Sequence, residues 1–344
     1  MIPIKNLFFI LCYAWDRLSE GELVSASIDE ASTPQNLLAR ILVNGANRIL
    51  KDGLDRGYVE FAEESSSLRG KIDFSVSTSK LLFEQAKAAS FVDELSHNIL
   101  HNQILKSTLL ALSNSDLIDE NLRSELARLV RKLNNVDLIR LAAPVFKRVQ
   151  IHQNNSFYAF LTNVCELVYL QCTPNSEAGD TRMRDFSRDE IQMRKIFQDF
   201  AFNFYKLNQR NFSVASERLT WCANGDEEAL KLLPNMYTDV SLSSSTRKII
   251  LDTKYYLEAF QANWGKRSFH SSHLYQLNAY LDSAHRSSSD GRQIDGILLY
   301  PATSDEFTFK FKLRDHSIIV ASLDMRNESI QIGARMLELL GEDK

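Results

Sequence analysis

Two adjoining runs of strand-forming residues, MYTDVSL (236–242) and RKIILDT (247–253), carry ionisable side chains where a buried sheet should hold none. Asp239 lies inside the first run, Asp252 closes the second, and Lys254 follows. Taking charges out of water is expensive unless they are paired or bind a metal, so the three must be gathered around something. The polar stretch Ser243-Ser244-Ser245-Thr246 reads as the turn of a hairpin. Such a hairpin brings both carboxylates to one end of a sheet. The two-residue period of a strand sets Asp252 and Lys254 on one side.

The flanking sequence fills in an architecture. Residues 188–207 place Met193, Ile196, Phe197, Phe200 and Phe204 on one helical face. A second helix is expected at 270–284, and strands at 293–300 and 316–323. Helix, hairpin, helix, strand predicts a C-terminal α/β domain over 182–344, with a mixed central sheet flanked by helices.

Upstream, residues 36–51 put Leu37, Leu38, Ile41, Leu42 and Ile49 at helical spacing, with Gly53 as the stop. Further helices are expected at 96–114, 118–133 and 156–172. Residues 57–76 read as two short strands, around Tyr58, Val59 and Phe61 and around Ile72, Phe74 and Val76, joined by a polar turn. The N-terminal part, 1–175, is thus expected to be an α+β domain of helices and small β-hairpin elements. TPNSEAGDT (173–181) is the linker.

Composition narrows the function. The four cysteines have no CxxC spacing, which argues against a zinc ribbon or disulfide framework and fits a reducing cytoplasm. The apolar start lacks a small-residue cleavage site and reads as buried core, and no stretch has the length of a membrane span. The formal net charge is −4. Unaided DNA binders carry a basic surplus, so a DNA-acting chain of this charge needs a local basic groove or a partner that holds the DNA. There is no GxxxxGKS or GxxxxGKT phosphate loop, no dinucleotide fingerprint and no GxSxG elbow.

The carboxylates suit phosphodiester hydrolysis. Mg²⁺ prefers oxygen ligands and keeps several waters, so one or two carboxylates with substrate phosphate suffice. Asp239 and Asp252 supply those carboxylates, and the Thr253 backbone carbonyl is a candidate third oxygen. Lys254 would position the attacking water or offset charge on the phosphorane. Taken alone, these residues leave a second reading open, since acidic residues near strand ends and Asp-x-Lys triplets also arise by chance. Gln276 and Tyr280, one turn apart in LYQLNAYL, add a polar edge on the following helix.

The set resembles the PD-(D/E)xK nuclease superfamily, in particular its RecB-like branch, where a Gln-x-x-x-Tyr helix follows the Asp…Asp-x-Lys core. The preceding helix of that branch often carries a Glu that adds a metal ligand. Here KIFQDF has Gln198 at the matching position, with Asp199 beside it. The metal count stays open, as does a role for Gln198 between holding a metal-bound water and lying on a helix rim.

The likeness extends further. IPIKNLFFILCYAW at the start, LRGKIDF (68–74), DELSHNILHNQILKSTL (93–109) and the segments LLPNMYTDVSL, ILDTKYY and HLYQLNAYL together resemble the McrC family of McrBC restriction systems, over about residues 2–300. The resemblance implies a Mg²⁺-dependent endonuclease subunit. It also implies an McrB-type AAA+ GTPase hexamer as partner, which reads modified cytosine in double-stranded DNA and is stimulated through the N-terminal domain. Two alternatives stay open: a catalytically decayed activator of the GTPase ring, favoured only by Gln198, and a stand-alone RecB-like exonuclease, which would not require the long N-terminal half.

Other features are weaker. Arg69 and Lys71, flanking Gly70 between the two expected strands, are either partner-contact residues or a solvated turn. Arg182, Arg184, Arg188, Arg194 and Lys195 are either phosphate contacts or a solvated helix face. His270 and His273 read as helix-capping or surface groups, and His97 and His101 as members of an ordinary amphipathic helix.

Overall fold

The computed structural model describes residues 2–150, 155–172, 185–255, 260–263, 266–287, 291–302 and 306–341. The expected linker at 173–181, with Arg182 and Arg184, lies outside the described residues. The chain divides into two compact units, Glu22–Arg184 and Met1–Gly21 together with Asp185–Lys344. This differs from the boundaries read in the sequence, which placed the opening residues in the N-terminal domain. The reason is aromatic packing. Helix α1 (Ile4–Ala14) sets Phe9 and Tyr13 edge-on against Phe200, with ring centroids 5.7 and 5.8 Å apart. Asn6 adds hydrogen bonds to the carbonyls of Met325 and Asn327, each 2.7 Å long. Helix α2 (Leu18–Glu22) follows.

The unit Glu22–Arg184 is built on α3 (Pro34–Asp52), whose buried stripe includes Leu37, Leu38, Ile41, Leu42 and Ile49. Thr33 caps its start by accepting from the Asn36 N–H at 3.1 Å, and Gly53 ends it at φ 102°. Next come β1 (Gly57–Ser65), β2 (Lys71–Ile72), α4 (Phe74–Ser79) and β3 (Ala88–Ser96). The chain then runs through α5 (Leu100–Ser113), α6 (Glu120–Lys132), α7 (Ala143–Lys147) and α8 (Ser156–Gln171).

The strands correct the expectation of a hairpin over 57–76. The antiparallel order is β1-β3-β2, so β3 lies between the two expected strands and pairs with both. Phe74 and Val76 do not continue a strand. Asp73 accepts from the Val76 N–H at 3.0 Å and starts a helix there instead. Gly70 is fixed by this topology, because it has φ 68° and a Cβ there would lie 2.0 Å from the Phe91 carbonyl oxygen.

The second unit begins its sheet-bearing part with α9 (Glu190–Asn208), capped by Asp189, which accepts from the N–H groups of Ile191 and Gln192. It continues with β4 (Ser213–Ala215), β5 (Arg218–Leu219), α10 (Glu227–Lys231), β6 (Met236–Tyr237), β7 (Val240–Ser243) and β8 (Arg247–Thr253). After these come β9 (Phe260–Asn263), β10 (Lys266–Phe269), α11 (Ser271–Ser287), β11 (Gln293–Ala302), β12 (Thr308–Leu313), β13 (His316–Asp324) and α12 (Ser329–Leu339).

Six strands form one mixed sheet in the order β12-β13-β11-β8-β7-β4. β8, β11 and β13 are parallel; the other pairings are antiparallel. Strands β8 and β11 are buried almost throughout, as expected of central strands covered on both faces. On one face Ile250, Leu298, Tyr300, Ile318 and Val320 pack against Leu277, Tyr280 and Leu281 of α11. Gly296 allows the close approach, since a Cβ there would lie 2.9 Å from Leu277 Cδ2. On the other side, α9 packs against β7 and β8, and α12 against β13. Tyr205 of α9 donates to the Met336 carbonyl of α12 at 3.0 Å. Among the described residues, no helix is long and apolar enough to cross a membrane.

Candidate active site

Open α/β sheets bind ligands beyond the carboxyl ends of their parallel strands. At that end of β8 the register Val240↔Leu251, carried one step on, sets Asp239 opposite Asp252. Asp239 is not inside a strand as the sequence suggested. The chain leaves the small β5-β6 sheet after Tyr237 and joins the main sheet at Val240, and Asp239 occupies the break. There its Oδ2 accepts from both the backbone N–H (2.8 Å) and the hydroxyl (2.7 Å) of Thr253. Thr253 therefore contributes a hydroxyl clamp that the sequence reading, which considered only its carbonyl, did not foresee.

Asp252 is 1% exposed. Its Oδ2 forms an ion pair with Lys254 Nζ, 2.6 Å away. Burial, with Asp239 adding and Lys254 opposing, pushes the Asp252 carboxyl up to about 7. On α9, burial raises the Asp199 carboxyl, with Lys195 opposing and Asp239 adding a smaller push.

Lys254 also donates to Gln276 Oε1 at 2.9 Å, and Gln276 Nε2 donates to the Tyr280 hydroxyl at 2.7 Å. The turn-apart pair expected on α11 is thus a relay that holds the ammonium beside Asp252. Asp239, Asp252, Thr253, Lys254 and Gln276 border one cleft, with Gln198 and Arg194 contributed by α9. Ser272 and His273 of α11 complete its rim.

The donor set fits Mg²⁺. It offers two carboxylates and no thiolate, and Thr253 engages only Oδ2 of Asp239. No group of three or more His, Cys, Asp or Glu side chains is poised to hold a metal among the described residues.

His273 departs from its capping or surface reading, whereas His101 lies on α5, the helix expected there, and His97 precedes it. His273 is 5% exposed, and its Nδ1 lies 2.9 Å from the Tyr300 hydroxyl. His101 is largely buried beside Asp55, 3.1 Å from Oδ2. Far from the cleft in sequence, Arg69 pairs with Glu63 at 3.1 Å on the exposed β1–β3–β2 arm, and Lys71 is exposed.

Residues 5–301 match the family described as McrBC 5-methylcytosine restriction system component. The Type IV methyl-directed restriction enzyme EcoKMcrBC of Escherichia coli (strain K12) is 28% identical over 343 residues, covering 99% of this chain and 98% of that protein. Among solved structures, a refined half-complex from the tetradecameric assembly of Thermococcus gammatolerans McrB AAA+ hexamers with bound McrC aligns with a TM-score of 0.53 and 16% identity. The alignment covers 97% of this chain and 76% of that one. At that identity the match bears on fold alone.

Proposed function

The chain belongs to the McrBC 5-methylcytosine restriction system component family, and from that premise we propose that it is the subunit that cuts DNA. In this reading it is a Mg²⁺-dependent endonuclease that works in the cytoplasm with an McrB-type AAA+ GTPase hexamer. The partner reads modified cytosine and delivers double-stranded DNA. The unit Glu22–Arg184 docks on the partner and stimulates GTP hydrolysis, with Arg69 and Lys71 as contact residues. The observation that carries the proposal is the single cleft bordered by Asp239, Asp252, Thr253, Lys254 and Gln276. The net charge of −4 and the lack of a phosphate loop agree with DNA and GTP being handled by a partner.

Asp239, Asp252 and the Thr253 carbonyl would hold Mg²⁺, with Gln198 placed to hold a water. When bound, the cation polarises the phosphate and eases deprotonation of the attacking water. The chain's own groups do the rest. Thr253 fixes the Asp239 carboxylate through two hydrogen bonds. The Lys254 ammonium, held by Asp252 and Gln276, is placed to orient the attacking water and to offset charge that builds on the phosphate oxygens. Tyr280 fixes the rotamer of Gln276. Arg194 gives the cleft a second cationic side chain for the DNA backbone.

The test is to purify the full chain with its AAA+ partner and assay methylated and unmethylated duplexes with GTP and Mg²⁺. Asp239→Ala, Asp252→Ala and Lys254→Ala should each abolish cleavage while partner binding and GTPase stimulation persist. Undiminished cleavage by Asp252→Ala would sink the proposal.

A further inference from the structure

Helix α11 carries more than the residues of the cleft. Ser272, Gln276, Ala279 and Ser283 form one stripe along it at helical spacing. The first two line the cleft that holds Asp239 and Asp252. The last two line a neighbouring pocket, which α11 shares with the loop that follows β5. With a rise of about 1.5 Å per residue, Ala279 lies about 4.5 Å and Ser283 about 10.5 Å beyond Gln276 along the axis. Successive nucleotides of a duplex strand are spaced by about 3.4 Å. A strand with one phosphate in the cleft therefore passes the neighbouring pocket about one to three nucleotides further on.

Two aromatic side chains line that pocket, Trp221 from the loop and Tyr275 from α11. Both stay in solvent, 41% and 74% exposed. The Trp221 ring is nevertheless fixed, because its Nε1–H donates to the Pro234 carbonyl at 2.6 Å. Buried Met236 lies between polar groups of the lining, among them Asn278 and the exposed cation Arg286.

We propose that this pocket takes one unstacked nucleobase of the DNA strand that crosses the cleft, with Trp221 and Tyr275 as its stacking surfaces. This rests on the nuclease reading above. In a duplex each base face is covered by its neighbours, so only a base turned out of the stack, or one in a melted strand, offers its face to a side chain. Aromatic stacking tolerates any base, since every base has a π-face. That fits a chain whose proposed partner does the reading. Arg286 supplies a cation for a flanking phosphate. Holding one base in this way fixes the register of the strand, so that a defined phosphate stays in the cleft. The competing occupant is a protein partner; the stripe that α11 shares with the cleft favours DNA.

Binding of a fluorescent single-stranded oligonucleotide to the full chain tests the pocket without cleavage. The readout is anisotropy at low salt, with Ca²⁺ in place of Mg²⁺. Trp221→Ala and Tyr275→Ala should each weaken binding by about 5- to 100-fold. The slope of log K against log salt should stay that of wild type, because the lost side chains carry no charge. Trp221→Phe keeps a stacking face and should bind more tightly than Trp221→Ala. On a fully abasic oligonucleotide of the same length, wild type and both alanine variants should bind alike, since no base is left to stack. Wild-type affinity in both alanine variants, a loss that persists on the abasic strand, or no binding by the wild-type chain overturns the proposal.

With the AAA+ partner, GTP and Mg²⁺, both alanine variants should cut methylated duplex more slowly while GTPase stimulation stays at the wild-type level. Lost partner binding with unchanged DNA affinity would assign the pocket to the partner and overturn the proposal. If wild type and Asp252→Ala cut alike, the nuclease reading fails, and the oligonucleotide result still decides what the pocket holds.

Discussion

The C-terminal sheet and the β1–β3–β2 arm depart from ordinary burial in opposite directions. In the sheet, polar groups go inside. Asp252 is 1% exposed in a strand that is buried over its last five residues. In the arm, apolar groups stay outside: Tyr58 is 78% exposed, Leu68 67%, Phe74 67% and Leu95 54%. A buried carboxylate is costly by itself and is retained where chemistry needs it. Exposed large apolar residues within one small element cost solubility and suit a surface that another molecule covers. The first pattern agrees with the proposed reacting site and the second with the proposed docking site. The polar groups and the apolar groups are each the informative exception to the usual pattern of burial.

Substitutions can break or sharpen this contrast. Asp252→Ala should have the largest effect, lowering DNA cleavage by about 1000-fold or more, while GTPase stimulation in the same preparation stays near wild type. A matching loss of stimulation would mean that the two regions do not divide the labour. In the arm, Gly70→Ala forces a left-handed backbone on a residue with a Cβ, which costs about 1–3 kcal/mol before the clash with the Phe91 carbonyl is added. Denaturant unfolding of the full chain should show that loss, and limited proteolysis should cut between residues 65 and 88.

Thr253→Val removes the hydroxyl that donates to Asp239. Hydrogen bonds to charged acceptors contribute about 1.5–3 kcal/mol, so cleavage should fall by about 10- to 100-fold and the melting temperature should drop by several degrees. A pH effect belongs to the N-terminal unit. Burial lowers the His101 imidazole from its ordinary 6.5, against the opposing pull of Asp55. The unfolded chain then binds more protons than the folded one below that value. Stability should be complete above about 6.5 and decline as the pH falls through it; His101→Gln should flatten this slope in chemical denaturation. The smallest structural effect is expected for Arg69→Ala with Lys71→Ala, whose stability should change by about 0.5 kcal/mol or less. The same double variant should lower the stimulation of partner GTP hydrolysis, and unchanged stimulation would return this segment to a solvated turn.

By itself, the sequence brought Asp239, Asp252, Lys254 and Gln276 together, but not Ser272 and His273, which also border the cleft. Strand period two and helix period 3.6 are local rules, so Asp252 with Lys254 and Gln276 with Tyr280 could be paired by counting, and the hairpin turn placed Asp239 near Asp252. Tertiary structure alone decided what depends on partners distant in the chain. The insertion of β3 between β1 and β2, the packing of α1 with Phe200, and the burial of His273 against Tyr300 have no signature within any short window. The conformational entropy of closing such long loops is repaid only when the whole core assembles, so these features belong to the fold as a whole.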